Sequence, residues 1–410
     1  MRSSLLTFAA ACLADIAQAL PSINGPRAPL RFPYGQEKVR GVNLGGWFVL
    51  EPWITPSLFD ALGGSAVDEY TFCSTLGAAE AKKRLSAHWS SWITQSDFQA
   101  IAAAGMNHVR IPIGYWSIRP IDGEPFVQGA YEVFAQALDW AQAAGLKVMI
   151  DLHGASGSQN GFDNSGRYGA IGWLQGNTVQ HTIDVLNKIR DDHARHPAVA
   201  SIQLLNEPFG PSLDLDKIKS FYTLGATAMA KPYLATSFHD AFQKTTFWND
   251  WSAPGNLLQD THHYEVFSAD QVALSPADHV KSACAFGGEM RGASHLIING
   301  EWTGAMTDCT KYLNGYAKGA RYDGSLGGNS AVGSCAGLQT GSVASWSQDL
   351  KDQTRKFVEA QLDAYESNAG WLFWTWRTEG APGWDLGDLI KNGVFPSPVT
   401  ARQYPGQCSA

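Results

Sequence analysis

Basic residues are scarce in this chain: 30 Lys and Arg stand against 38 Asp and Glu, for a formal net charge of −8. Nucleic-acid binders gather positive charge on one face. No basic cluster offsets the acidity locally, so neither nucleic acid nor an anionic membrane surface is an expected partner. Beyond the N-terminus there is no run of about 20 apolar residues, the length a membrane-spanning helix needs. The phosphate-cradling patterns G-x-G-x-x-G and G-x-x-x-x-G-K-[ST] are missing. So are H-E-x-x-H, paired C-x-x-C and the serine elbow G-x-S-x-G. No cofactor and no metal are therefore expected. Asn-x-Ser/Thr acceptors are absent too, which removes N-glycosylation, and no short repeat or domain linker is visible.

Aromatic residues are plentiful, with 15 Trp, 13 Tyr and 19 Phe. Most will be core, but flat rings also suit the apolar faces of pyranoses, so an uncharged carbohydrate is a natural ligand. The N-terminus reads as a secretory leader over residues 1–19. Arg2 gives the charge, Leu5 to Leu13 the apolar stretch, and Ala17-Gln18-Ala19 a small-x-small cleavage site, with Asp15 leaving the exact cut open. Residues 20–32 then form an extension and 33–410 one catalytic domain. A soluble, exported protein is expected, extracellular or in a cell wall. Cys12 leaves with the leader, and Cys73, Cys284, Cys309, Cys335 and Cys408 remain. In an oxidising compartment four of these would form two disulfides. Three connectivities are open. Cys309–Cys335, closing a Gly/Ser-rich loop, and Cys284–Cys408, tying down the tail, are favoured, with Cys73 a buried free thiol.

Short apolar runs alternate with longer helical patterns. Strands are expected at Val39–Leu44, His108–Ile113, Lys147–Leu152, Ala200–Asn206, Pro232–Thr236, Asn256–His262, His295–Asn299 and Trp371–Trp376. Helices are expected at Ala79–Ala103 (in two pieces), Ala130–Ala144, Thr178–Ala194, Leu215–Met229, Ser237–Asp250, Pro276–Ala283 with Lys311–Ala317, and Asp349–Asn368. Eight such alternations predict an α/β fold, a (β/α)8 barrel whose strands are apolar because both faces are covered. Asp323–Ser342, rich in Gly and Ser, is either a mobile surface loop or, pinned by Cys335, a cleft wall.

Two segments carry the chemistry. Leu204-Leu205-Asn206-Glu207-Pro208 and Ile298-Asn299-Gly300-Glu301-Trp302 are apolar runs that each deliver a carboxylate. In a barrel, strand ends face the active site. The polar residues there include Asn43, Arg110, His153, Asn206, Glu207, His262, Tyr264, Glu301 and Trp374. A pair of carboxylates flanking one sugar is the minimum for glycoside hydrolysis. Asn206 suits a sugar 2-hydroxyl. Arg110 and Tyr264 can hold Glu301 ionised. His153 and His262 suit either hydrogen bonding in the scaffold or the site itself. His262 and His263 are adjacent on a strand and point to opposite sides, which argues against a metal site.

The stretches Arg40-Gly-Val-Asn-Leu-Gly-Gly-Trp-Phe-Val-Leu-Glu51-Pro, Val109-Arg-Ile-Pro-Ile-Gly-Tyr-Trp116, Asp151-Leu-His-Gly154, Gly157-Ser-Gln-Asn-Gly-Phe-Asp-Asn-Ser-Gly166, Asp260-Thr-His-His-Tyr264 and Gly300-Glu-Trp302 resemble the secreted fungal exo-β-1,3-glucanases of glycoside hydrolase family 5. The resemblance runs from about residue 33 to Cys408. It implies a metal-free retaining enzyme that releases glucose from non-reducing ends of β-1,3-glucan. Glu207 would be the acid/base and Glu301 the nucleophile, with Arg110, His153, Asn206, His262, Tyr264 and Trp374 around them. Glu51 would bind the terminal glucose, with Asp163 and Arg321 as weaker candidates for that pocket. Phe162 and Phe267 would grip the sugar beyond the cleaved bond. Ser156, Trp53 and Arg377 depart from the family's usual proline, tyrosine and lysine, which bears on loop stiffness and pocket shape. The acid step requires a raised pKa on Glu207 while Glu301 stays charged. The substrate is then a β-glucan and the chain a monomer, with transglycosylation as a side reaction. The alternatives are an endo-acting or β-1,4/β-1,6-preferring family member, or a non-catalytic glucan-binding wall protein.

Overall fold

The computed structural model describes residues 29–328 and 330–409. The leader read at residues 1–19 lies outside them. Eight parallel strands close into a barrel: β1 (Val39–Asn43), β2 (His108–Gly114), β3 (Lys147–Gly154), β4 (Val199–Gln203), β5 (Ala235–His239), β6 (Asn256–His262), β7 (Leu296–Glu301) and β8 (Gly370–Phe373). Each pairs with its sequence neighbour, and β1 pairs with β8 to complete the ring. The fold is the (β/α)8 barrel expected.

Alternation along the strands builds the two sides. On β3, Val148, Ile150 and Leu152 pack outward, fully buried. Each such side chain contributes roughly 1.5–3 kcal/mol. Met149, Asp151 and His153 share the opposite, inner face. The lower barrel is plugged by an apolar cluster that includes Phe32, Met149, Leu258, Ile298 and Leu372. Above this floor the interior turns polar, with Arg110, Asp151, Gln203 and Asp260 all at 0% exposure. Gly300 makes room for that layer, since a Cβ there would lie 2.1 Å from Asp260 Oδ1.

The helices are α1 (Pro56–Asp60), α2 (Glu69–Ser91), α3 (Gln95–Ala103), α4 (Ala130–Ala143), α5 (Thr178–His193), α6 (Leu215–Met229), α7 (Ala269–Val272), α8 (Pro276–Met290), α9 (Gln348–Glu366) and α10 (Leu386–Lys391). α2 starts ten residues before the expected Ala79, at a capping box formed by Asp68 and Thr71, but Gly77, with φ of 72° and ψ of 161°, is not helical, so α2 is two helical pieces and the second begins beside the expected start.

Two expected helices do not form. Ser237–Asp250 supplies instead the second half of β5 and a 3-10 turn at Thr245–Trp248. Ala241 and Phe242 between them have φ of 56° and 58°, which no α-helix accommodates. Lys311–Ala317 is a series of turns, with positive φ at Tyr312 and Ala317. Disulfides join Cys284 to Cys408 and Cys309 to Cys335, the two pairs favoured above, and Cys73 is a buried free thiol.

Candidate active site

At the C-terminal mouth of the barrel lies a pocket of about 580 Å³. Glu51, Phe162, Asp163, Glu207, His262, Tyr264, Phe267, Glu301, Arg321 and Trp374 all line it. Arg110, His153 and Asn206 lie beneath, essentially without exposure, as the layer that holds the lining in place.

Glu301 ends β7. A register shift between Thr261 and His262 sets His262 opposite Glu301, so local irregularity re-aims the histidine into the mouth. Arg110 rises from β2 and donates from Nη1 to Glu301 Oε1 at 2.8 Å. Its remaining donors reach Asn43 Oδ1, Gln203 Oε1 and Asn206 Oδ1, and Asp151 Oδ2 lies 3.0 Å from Nη2. A buried guanidinium is tolerable only with such saturation. Tyr264 donates its hydroxyl to Glu301 Oε2 at 2.9 Å. The nucleophile candidate is thus held on both oxygens.

Glu207 follows β4 with φ of 44°, in the left-handed region. Its Oε1 lies 2.8 Å from His262 Nδ1, and Oε2 accepts from Asn164 Nδ2 at 3.1 Å. The same His262 nitrogen is 3.5 Å from Glu301 Oε2, so one imidazole edge touches both carboxylates. His262 Nε2 approaches Asp260 Oδ2 at 3.3 Å. Glu207, His239 and His262 also bring ligand-type atoms within 4.8 Å of one another. Both ring nitrogens of His262 already face carboxylates, whereas His239 accepts from Ala241 N–H at Nδ1 and has no partner for Nε2 among the described residues. His153 leans on Asp151 at 2.5 Å and stacks on Trp374 with ring centroids 5.6 Å apart.

The electrostatics differ from the sequence expectation. Burial opposes a charge on His262, yet Glu301, Asp260 and Glu207 together hold its pKa well above the ordinary value. Burial also opposes ionisation of Glu207, but the hydrogen bond and charge of His262 keep that carboxyl below its usual range. Glu301 is raised, by burial first and by Glu207, against the pull of His262 and Arg110. Both directions favour a proton on His262 over one on Glu207. The expectation omitted the histidine as a cation.

At one end of the pocket, Glu51 Oε2 accepts from the Trp53 indole at 2.9 Å, while Oε1 has no partner among the described residues. Loss of water and the nearby Asp163 raise Glu51 well above its ordinary value. Trp53, one of the departures noted above, therefore supports a sugar-binding candidate directly. Arg377, another, turns away to Asp97 and the Trp92 carbonyl. Arg321 is anchored by Asp308 and Asn314. This wall is built by residues 313–321. No described residue of the Gly/Ser-rich segment 323–342 lines the pocket.

Sequence reasoning missed Asn164, Asp151, Asp260 and Phe242. The two aspartates each lie two residues before a site histidine on the same strand face, a signal that was available. Phe242, at the rim beside Phe162, is placed by two consecutive positive-φ residues that no pattern announces.

Buried acids outside the site give the fold a pH dependence. Asp240, 5% exposed, is raised to about 7, chiefly by burial. The unfolded chain releases this proton near pH 4, so the contribution is complete below that and is lost as pH rises through 7. Asp240→Asn keeps the acceptor for the Phe242 N–H and can donate to Thr261. Its melting temperature should therefore gain on the native chain's between pH 5 and 8. A constant difference across that range would contradict the assignment.

A closed parallel barrel whose mouth holds two buried carboxylates, an arginine beneath them and aromatic walls is a glycoside hydrolase. Residues 73–228 match the family Cellulase (glycosyl hydrolase family 5). A probable glucan 1,3-beta-glucosidase A of Aspergillus niger is 51% identical over 97% of this chain and 96% of its own length. The glucan 1,3-beta-glucosidase of Blumeria graminis is 48% identical over 98% and 96%. Among solved structures, rutinosidase from Aspergillus niger superposes with a TM-score of 0.72 at 20% identity, covering 88% of this chain and 99% of that one, a likeness of fold. The chain belongs to glycoside hydrolase family 5.

Proposed function

We propose that this enzyme is a retaining exo-β-1,3-glucanase, releasing glucose from the non-reducing ends of β-1,3-glucans. The observation that carries the chemistry is the single His262 nitrogen lying 2.8 Å from Glu207 and 3.5 Å from Glu301. It supports the short carboxyl separation of retaining enzymes, about 5–5.5 Å, over the roughly 6.5–9.5 Å of inverting ones. The names of the curated relatives support the β-1,3 linkage and the glucosidase mode.

Glu301, held by Arg110 and Tyr264, attacks the anomeric carbon as the bond to the leaving oxygen breaks. Glu207 gives that oxygen a proton. On substrate binding the proton reaches Glu207 from His262 along the 2.8 Å contact. Water then attacks the glycosyl ester, returns a proton to Glu207 and frees Glu301. Asn206 holds the 2-hydroxyl, a role supported by its Nδ2 having no partner among the described residues. Glu51, Asp163 and Arg321 close the terminal-glucose end, and Phe162 and Phe267 take the sugar beyond the cleaved bond. The enzyme works as a monomer outside the cell, its catalytic domain spanning 33–410 after removal of the leader.

A time course of products from laminarin tests this reading. Glucose alone from the earliest points supports it. A mixture of oligosaccharides would mean an endo-acting cleft, and no release from laminarin but turnover of another β-glucan would move the linkage.

A further inference from the structure

A second cavity, of about 230 Å³, lies under the Cys309–Cys335 loop, between α8, α9 and the segment that follows β7. Three side chains lining it carry a buried polar atom with no partner among the described residues: His279 Nε2, Trp346 Nε1 and Thr354 Oγ1. His279 and Thr354 are 1% and 0% exposed. Leaving such atoms unsatisfied costs about 1–3 kcal/mol each, so three around one cavity mark a place built for something to meet them.

The lining says what. His279 turns Nδ1 to Glu265 Oε2 at 2.7 Å, which leaves Nε2 on the opposite edge of the ring. The Trp346 indole can only donate, while the Thr354 hydroxyl and the His279 ring nitrogen can each pair with a hydroxyl, which both donates and accepts. A ligand must therefore present at least one acceptor, and a ring bearing several hydroxyls meets all three atoms. Pro276, Tyr322 and Leu338 supply apolar wall, and among the described residues no Asp, Glu, Lys or Arg lines the cavity. An ionic ligand would find no counter-charge there. The volume lies below the roughly 300–1,000 Å³ of sites for larger ligands, which leaves room for one ring.

We propose that this cavity is a second binding site, for a single neutral polyhydroxy ring of the monosaccharide class, separate from the catalytic pocket. Tyr322 lines it while the neighbouring Arg321 lines the catalytic pocket, so the two sites share one strap of chain.

Equilibrium dialysis against D-glucose tests the proposal. The native enzyme should bind two equivalents. Thr354→Val, which removes the hydroxyl and keeps the shape, should weaken one of them by roughly fivefold to tenfold. Trp346→Phe, at a half-buried position and so milder for folding, should do the same. Laminarin hydrolysis should be unchanged in both. Identical isotherms for the native chain and both variants would overturn the proposal and leave a water-filled cavity. The test does not depend on the catalytic reading: if that fails, the equivalent insensitive to both variants disappears and the Thr354-dependent one remains.

Discussion

Replacing Glu301 by alanine should reduce laminarin hydrolysis by roughly 10⁴–10⁶-fold, the loss typical of removing a covalent nucleophile. The fold should survive. Arg110 would keep Asp151 at 3.0 Å and its bonds to Asn43, Gln203 and Asn206, so its charge would not be stranded. A melting temperature near the native one therefore belongs to the prediction. The sharper readout is chemical. With an activated aryl β-glucoside and azide, the space left by the carboxylate admits azide to the anomeric carbon from the opposite face, and α-glucosyl azide should accumulate. Retention of more than about a hundredth of native activity would be incompatible with covalent catalysis by this residue. So would a β-configured azide product.

Glu207→Ala should behave differently, because an acid/base is needed only where a proton must move. On laminarin the loss should be roughly 10²–10⁴-fold. On a dinitrophenyl β-glucoside, whose leaving group departs without a proton, the first step should be nearly untouched. The second step, which needs Glu207 as base, should then limit turnover. A burst of dinitrophenol followed by a slow phase is the expected trace. Azide should restore the slow phase and give the β-glucosyl product, since two displacements at one carbon return the original configuration. Equal losses on both substrates, with no burst, would remove Glu207 from this role. His262 joins the two predictions: with Glu207 gone it loses its 2.8 Å partner but keeps Asp260 and Glu301.

Where one face of the chain alternates cleanly, the sequence reported the structure well. β6 runs over the expected Asn256–His262, because Leu258, Asp260 and His262 share an inner face. α6 runs over Leu215–Met229, started by the Asp214 cap. β5 was placed three residues early, since the apolar Pro232-Tyr233-Leu234 outweighed the true strand Ala235–His239. The helix expected after it failed for a reason composition hides: Ala241 and Phe242 are ordinary residues in a left-handed conformation, next to an Asp240 carbonyl that accepts from the Trp248 indole.

The site was legible because its residues end strands, and strand ends converge by topology. Its protonation was not. Only folding brings Glu207, Asp260 and Glu301 around one imidazole, so the charge of His262 belongs to the assembled mouth and to none of its segments. The pocket wall also escaped, because 311–317 read as helix and only the glycine-rich 323–342 read as a loop able to wall the cleft, whereas positive φ at Tyr312 and Ala317 turns the former into the wall.

The cross-link between Cys284 and Cys408 spans 124 positions, and its second sulfur follows all eight strands in the chain. As the polypeptide is made, that bond has no partner to form with until β8 and α10 have emerged. The ring of strands is in the same position, because β1 must wait for β8. The bridge therefore cannot guide the earlier strands as they emerge. It can close only a chain that already holds all eight strands, and an oxidase acting earlier would find Cys284 with only wrong partners to offer it.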